Sequence, residues 1–142
     1  MALADLNPRS TSKYLINADL TADAGKLLTI NAADSATNGV TTLELSNNAS
    51  DVPVGIVVVG AASDSGSYPG YATSCEIYDT LIGCFDGALA GGTVAAGDAV
   101  EVDSTGRFIV ATPSAGDFVI GFAMTGAAVG EQFTIKFAVT KF

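Results

Sequence analysis

The sequence predicts an all-β protein, a small β-barrel or β-sandwich of short antiparallel strands with an extended N-terminal arm. Glycine is abundant (16 residues) and only 15% of the residues are charged, a composition typical of short strands and tight turns. Turn-forming clusters also separate strand-length apolar segments about every 8 to 12 residues. A chain of 142 residues fits one domain with an adequate core.

The first 25 residues differ from the rest of the chain. They contain Asn7-Pro8, the polar run Arg9–Ser12 and the short apolar group Tyr14–Ile16, with no sustained period. We interpret residues 1–25 as an extended arm and residues 26–142 as a single β-rich domain. A frayed terminus is the alternative. Fully extended, 25 residues span about 80 to 90 Å, enough to cross a neighbouring subunit.

The body begins with three strand candidates, separated by turn formers. DSATNG at 34–39 is predicted to be a loop. Val54–Gly60 is a continuous apolar run, which favours a strand buried on both faces. The candidate strands are KLLTIN at 26–31, VTTLELS at 40–46 and VGIVVVG at 54–60.

The middle of the chain allows more than one assignment. Ala61–Tyr71 has turn chemistry throughout and is predicted to be an exposed loop. Ser74–Phe85 is either one long strand or a hairpin that turns at Asp79-Thr80. Asp86–Gly97 is predicted to be a flexible connection rich in glycine and alanine.

A hairpin over Ala99–Ala111 can be placed in register. Asp103 at the first turn position and a left-handed Gly106 suit a type I turn with a bulge. This turn places Asp103 opposite Arg107 and predicts the pairs Val102 with Phe108 and Val100 with Val110. Shifting the register by one residue would mix the two faces.

The last fifty residues are completed by strands at Phe118–Met124 and Gln132–Phe142, joined by a turn over Gly126–Gly130. From Phe133 onward apolar and other side chains alternate, as in a strand with one buried face. The buried face predicted for this half consists of Val100, Val102, Phe108, Val110, Phe133, Ile135, Phe137 and Val139.

Cys75 and Cys84 are the two cysteines, and the chain has no histidine. Two thiols without histidine do not supply the four ligands of a typical zinc site. In one strand they would lie on opposite faces, whereas in a hairpin they would face each other. Because no secretion signal is visible, we expect buried free thiols.

Net charge excludes some functions. The formal charge is −9, and residues 1–26 contribute nothing to it because their acids and bases balance. An acidic body would be repelled by phosphate backbones, so we expect no nucleic-acid partner. The longest apolar stretch, Val52–Ala62, is too short to span a membrane. We therefore expect a soluble protein that is made in a cytoplasm.

Catalytic patterns are missing from the sequence. Without histidine there is no Ser-His-Asp or Cys-His arrangement. DSATNG lacks the alternating acids of a calcium loop, and GALAGG at 87–92 lacks the features of a phosphate loop. We predict no catalytic, cofactor-binding or metal-binding residues. Most acids occupy expected turns: Asp34, Asp51, Asp64, Asp98, Asp103 and Asp117.

Three segments of the C-terminal half are Ala96–Val100 (AGDAV), Val119–Ala123 (VIGFA) and Gly130–Ile135 (GEQFTI). They resemble segments of small β-rich decoration, or cement, proteins of tailed-bacteriophage capsids. Pro53–Ala62 is similar to a strand of the same group and of lambda-type head decoration proteins. This chain has a longer first half, Lys26–Asn48, than the lambda-type pattern.

The resemblance implies a non-enzymatic virion protein on the outer surface of an assembled capsid, made in the host cytoplasm. It would form a homotrimer at three-fold and quasi-three-fold positions and cement adjacent major capsid proteins. Arm residues Pro8, Arg9, Tyr14 and Leu15 are the expected capsid contacts. A glycan- or surface-binding module of a virion fibre or adhesin is the alternative, with Tyr68 and Tyr71 as its aromatic candidates. A small hydrolase is the weakest of the three interpretations.

Overall fold

The structure is a computed structural model that describes residues 14–17, 19–62, 70–73 and 75–142. These residues form two five-stranded sheets and one short helix, which confirms the predicted all-β class. The elements are β1 (Leu15–Ile16), β2 (Leu27–Ile30), α1 (Ala32–Asn38), β3 (Thr42–Leu45), β4 (Gly55–Val59), β5 (Glu76–Tyr78), β6 (Cys84–Leu89), β7 (Ala99–Val102), β8 (Phe108–Val110), β9 (Phe118–Ala123) and β10 (Gln132–Lys141).

The first sheet has the strand order β1-β3-β2-β4-β5. All its pairings are antiparallel except that of β1 with β3. The sheet curls toward closure, because Ile16 of β1 also exchanges backbone hydrogen bonds of 2.9 and 2.8 Å with Ala72. Residues shortly after Ala72 lead into β5, the opposite edge strand.

The second sheet has the order β6-β10-β9-β7-β8 and is antiparallel throughout. Its β7–β8 hairpin has the predicted register, with Val100 opposite Val110 and Val102 opposite Phe108. Gly106 has the predicted left-handed backbone, with φ of 85°. Turn chemistry and side-chain pattern therefore specified this hairpin together.

Two apolar clusters stabilise the fold. One lies between the sheets and is the larger, and the other fills the curl of the first sheet. Strand β4 separates them, because Ile56 belongs to the first cluster and Val57 to the second, both fully buried. The predicted burial of this strand on both faces is confirmed at these two residues, whereas Val59 near the strand end is exposed.

The N-terminal segment from Tyr14 onward packs in this body. Leu15 and Ile16 are buried in β1, and Leu20 is fully buried in the cluster inside the curl. The segment is also bonded to the body through its backbone, since Leu20 N donates to Ala61 O at 3.0 Å. Residues 1–13, which the predicted arm includes, lie outside the described residues.

The prediction that DSATNG forms a loop is wrong, because residues 34–38 lie in α1 and Gly39 caps its C-terminal end. Asn31 caps the helix by accepting a 2.9 Å hydrogen bond from the backbone N–H of Asp34. Gly39 ends it in a left-handed conformation, with its N–H donating to Ser35 O at 3.0 Å. Asn, Asp, Ser and Gly favour helix caps as well as turns, which explains the error.

The middle of the chain also differs from prediction. Ser74–Phe85 forms neither one strand nor a hairpin, because β5 lies in the first sheet and β6 in the second. The predicted flexible connection over Asp86–Gly97 begins as strand, since β6 continues to Leu89. Both thiols are free, but only Cys75 is buried, and Cys84 at the start of β6 is exposed. Most of the predicted loop Ala61–Tyr71 lies outside the described residues.

Two of the eight residues predicted for the buried face are exposed. Val110 is 42% exposed near the sheet edge, and Val139 is 40% exposed. The second error arises from an irregularity, because the register with β9 shifts between Phe137 and Thr140. One additional residue in β10 ends the strict alternation on which the prediction relied. No helix in the described part of the chain is long and apolar enough to cross a membrane.

Candidate functional site

Several of the acids that were predicted to form turns do so, but Asp34 does not, because it lies in α1 and its carboxylate accepts from the side-chain amides of Asn17 and Asn31. Asp98 accepts from Ala95 N at 2.8 Å, and Asp117 accepts from Ser114 N at 2.9 Å. Asp103 accepts from Thr105 N at 2.7 Å. These carboxylates are occupied by local backbone donors. Among the described residues no three His, Cys, Asp or Glu side chains are placed to hold a metal ion.

Glu101 is the buried carboxylate that the turn interpretation missed. It lies on β7 opposite Ile109, is 6% exposed, and its Oε2 has no hydrogen-bond partner among the described atoms. Asp103, two residues along, is hydrogen-bonded within its own turn. A single carboxylate is not a paired acid and base, and the chain has no histidine to complete one. The geometry at Glu101 therefore does not define a hydrolytic site.

An apolar groove on the second sheet is a candidate interaction surface. It has a volume of about 370 Å³, and none of its lining side chains is charged. Phe122 and Phe142 are the large exposed side chains in it, at 44% and 56% exposure. Its lining residues are Ala99, Ala111, Pro113, Val119, Phe122, Ala138, Thr140 and Phe142.

The groove exists because the strand alternation changes in the middle of β9. Ile120 belongs to the core between the sheets, yet Phe122, two residues further on, is exposed in the groove. In a regular strand these two side chains would share a face. Gly121 lies between them, and a Cβ there would overlap the carbonyl oxygen of Lys136. The change of face in β9 thus coincides with the close approach of β9 to β10 at Gly121.

Phe142 is held in place at the edge of this groove. Its N–H donates to Asp117 O at 2.8 Å, and its carbonyl oxygen accepts from Gly116 N at 2.6 Å. The turn that contains Gly116 and Asp117 therefore fixes the backbone of Phe142. A side chain on a fixed backbone is a better contact surface than one on a mobile backbone, since less conformational entropy is lost on binding.

The four predicted capsid-contact residues are placed as follows. Pro8 and Arg9 lie outside the described residues. Leu15 is 4% exposed, so its side chain contributes to the body's own core. Tyr14 is partly buried, and its hydroxyl donates to Asp79 Oδ2 at 3.3 Å. Burial, and then the charge of Asp79, raises the pKa of the Tyr14 phenol.

The segment 79–83 was missed by the sequence analysis. It joins β5 of the first sheet to β6 of the second, and it contains Ile82, which is 66% exposed. Leu81 there has φ of 50°, a left-handed conformation unusual for leucine. The exposure of Ile82 could not be predicted from the sequence, because DTLIG lies between two apolar segments and is equally consistent with the turn of a hairpin.

The fold and its surfaces define an all-β, two-sheet protein with an apolar groove and an exposed intersheet loop. A solved structure with the same fold is described as the crystal structure of head fiber gp8.5 N base in bacteriophage phi29. The TM-score is 0.61 at 16% sequence identity, and the match covers 96% of each chain. No protein-family model matches the sequence. No curated protein matches it either.

Proposed function

We propose that this chain is a non-enzymatic structural protein of a bacteriophage virion, which binds the outer surface of the assembled capsid. The observation that supports this most is the fold shared with the phi29 head fibre base over 96% of each chain. That protein is described as the base of a fibre on a phage head. The resemblance of segments in the C-terminal half to capsid decoration proteins led to the same proposal from the sequence.

The finer proposal is that the protein cements adjacent major capsid proteins as a homotrimer at three-fold and quasi-three-fold positions. Closed cyclic symmetry fits such positions. Copies with a formal charge of −9 repel each other, so subunits would associate best through a surface without acids. None of the side chains that line the groove around Phe122 and Phe142 is charged, and the groove is the proposed contact between subunits.

The N-terminal residues are the proposed capsid-binding arm, with Pro8 and Arg9 as contacts. The buried positions of Leu15 and Leu20 support a boundary closer to residue 13 than to residue 25. In this proposal Leu15 anchors the arm to the body, while Tyr14 lies where the arm leaves it. The body then positions the arm, and synthesis takes place in the host cytoplasm.

The second candidate function is that of a glycan- or surface-binding β-module of a virion fibre or adhesin. The description of the phi29 protein as a fibre base favours this alternative. Tyr71, one of its two aromatic candidates, is partly buried, and Tyr68 lies outside the described residues. A glycan array with Tyr68→Ala and Tyr71→Ala controls tests it, and specific binding lost in both variants would support it.

Co-sedimentation with expanded capsids that lack this protein tests the first proposal. We expect saturable binding of the full chain at micromolar concentration, with three copies per site. A variant that lacks residues 2–13 should remain folded and bind at least about tenfold more weakly. Deletion to residue 24 is unsuitable, because it removes the buried side chains of Leu15, Ile16 and Leu20. Absence of binding by the full chain would refute the capsid proposal.

A further inference from the structure

The second half of strand β10 is an open sheet edge. On one side β10 pairs with β9 as far as Lys141, but on the other side its pairing with β6 ends at Lys136. Just beyond, Phe137 N donates to Gly83 O at 2.8 Å. Residues 138–141 are all exposed. One side of this segment therefore has no neighbouring strand in the described part of the chain.

This edge is held in an extended conformation by the strand on its other side. β9 pairs with it there, placing Thr140 opposite Val119 and Lys141 opposite Phe118. An open, extended backbone is a template for one more strand, which main-chain hydrogen bonds then hold. Because the edge is already ordered, it loses little conformational entropy when a strand is added.

The charge of β10 is opposite to that of the whole chain. From residue 27 onward the basic residues are Arg107, Lys136 and Lys141, and β10 contains both lysines and no acid. Arg107 is already paired with Asp103, with 3.6 Å between Nε and Oδ2. Both lysines are exposed, and neither forms an ion pair with another residue that the structure describes. On a protein with a formal charge of −9, β10 is thus a local basic site.

The two lysines lie on opposite faces of the second sheet. Lys136 is opposite Phe122, which lines the groove, and Lys141 is opposite Phe118, which packs against the core between the sheets. Directly opposed residues of antiparallel strands share a face. The Nζ of Lys141 also lies 5.7 Å from the centroid of the Phe118 ring. An added strand presents alternate side chains to both faces, so an acid on each face can meet one lysine.

We propose that the open edge of β10 at residues 138–141 binds an extended segment of another protein that carries acidic side chains. Main-chain hydrogen bonds hold the segment, and its carboxylates lie near Lys136 and Lys141. Charge favours this partner over a second copy of β10, because two such edges would bring lysines together. The inference goes beyond the proposed function and does not rest on it.

The test is a titration of the full chain with short peptides, followed by the NMR shifts of its backbone amides. The probe is the acetylated and amidated peptide EVTTVE, whose two acids have the same spacing as Lys136 and Lys141. We expect saturable shifts at residues 138–141, with a dissociation constant below about 1 mM. The same peptide with methylated backbone nitrogens cannot donate main-chain hydrogen bonds, so it should bind at least about tenfold more weakly.

Lys141→Gln tests the contribution of charge. It should weaken binding of EVTTVE about two- to fivefold, the range for one exposed ion pair. Lys26→Gln is the matched control, because it removes the same charge next to β2 of the first sheet, where Lys26 pairs with Asp23 at 2.6 Å. The control should change the affinity by less than about 1.5-fold, since solvent screens distant charges. Cooperative thermal unfolding of both variants shows that each is folded.

Three outcomes would overturn the inference. The first is an absence of shifts at residues 138–141 with about 1 mM EVTTVE, and the second is equal binding of the methylated peptide. The third is shifts at these residues that depend on protein concentration without peptide, because a second copy then occupies the edge. None of these outcomes concerns capsid binding, so the proposed function stands or fails separately.

Discussion

Gly60 lies directly against the backbone of Leu20, so closely that a Cβ at position 60 would overlap the carbonyl oxygen of Leu20. The neighbouring Ala61 accepts a 3.0 Å hydrogen bond from Leu20 N. This contact brings the chain that follows β4 against the N-terminal segment. It explains how a polar segment with no sustained period packs as part of the body, since Leu20 is thereby buried in the curl of the first sheet.

Gly60→Ala should lower the free energy of unfolding by about 1 to 3 kcal/mol, because the new methyl group forces the two backbones apart. Urea unfolding followed by circular dichroism measures this change. Gly92→Ala is the control, since a Cβ there would be 3.5 Å from Ile109 Cγ2, an ordinary contact. Equal stability of the two variants would contradict the close approach.

Tyr78→Phe should lower the free energy of unfolding by about 1 kcal/mol, because it removes the 2.6 Å bond to Ile82 O. The substitution keeps the aromatic ring, whose centroid lies 5.5 Å from that of Phe137. Chemical denaturation measures the loss. Hydrogen exchange should increase at residues 80–83, and unchanged exchange there would mean that the bond does not fix the loop.

Alkaline pH should destabilise the protein through the same tyrosine. Burial, and then the charge of Cys84, raises the pKa of the Tyr78 phenol in the fold. The phenol of the unfolded chain ionises near pH 10. The neutral phenol therefore contributes its full stabilisation of the fold below about pH 10, and this contribution is lost as pH rises through the higher pKa of the folded state. Between pH 8 and pH 11 the free energy of unfolding should therefore decrease less for Tyr78→Phe than for the unaltered chain. An equal loss in both proteins would contradict the shift.

The two cysteines should differ in reactivity. Cys84 is exposed, whereas Cys75 is buried and its pKa is raised, chiefly by burial. Because the thiolate is the reactive form, a thiol reagent at pH 7.5 should modify Cys84 within minutes and Cys75 only as the fold opens. Mass spectrometry of the Cys84→Ala and Cys75→Ala variants separates the two rates. Similar rates at both positions would contradict the burial of Cys75.

The β7–β8 turn should depend on the side chain of Asp103. Its Oδ1 accepts from Thr105 N at 2.7 Å and from Arg107 N at 3.1 Å. Asp103→Ala should lower the free energy of unfolding by about 0.5 to 2 kcal/mol, because two backbone donors lose their protein acceptor. Ser104→Ala, at the exposed turn position next to Asp103, is the control and should change stability by less than about 0.5 kcal/mol. Thermal or urea unfolding measures both.

The local sequence pattern was sufficient to predict strand pairing where the turn residues and the side-chain alternation indicate the same register. The β7–β8 hairpin is an example, because Asp103 and Gly106 select the turn, and the turn then determines which side chains face the core. The predicted turn roles of Asp98 and Asp117 have the same basis, since each carboxylate bonds to a backbone N–H three residues earlier. Interactions of this range are contained within a few residues of sequence.

Local pattern was insufficient where distant backbones meet. The groove depends on the register shift between Phe137 and Thr140 and on the close contact of Gly121 with Lys136, neither of which alternation alone reveals. The exposure of Ile82 depends on β5 and β6 belonging to different sheets. Helix α1 is a separate case, because its capping residues are visible in the sequence but are equally common in turns.

The sequence by itself determined the all-β class, the positions of most strands and the hairpin register, because these follow from side-chain period and turn chemistry. Only the tertiary structure decided which strands share a sheet, how far the N-terminal segment packs in the body, and which apolar side chains remain exposed. These outcomes depend on contacts between residues far apart in the chain, such as Leu20 with Gly60 and Tyr14 with Asp79. A short sequence window contains no information about which distant backbone will approach it.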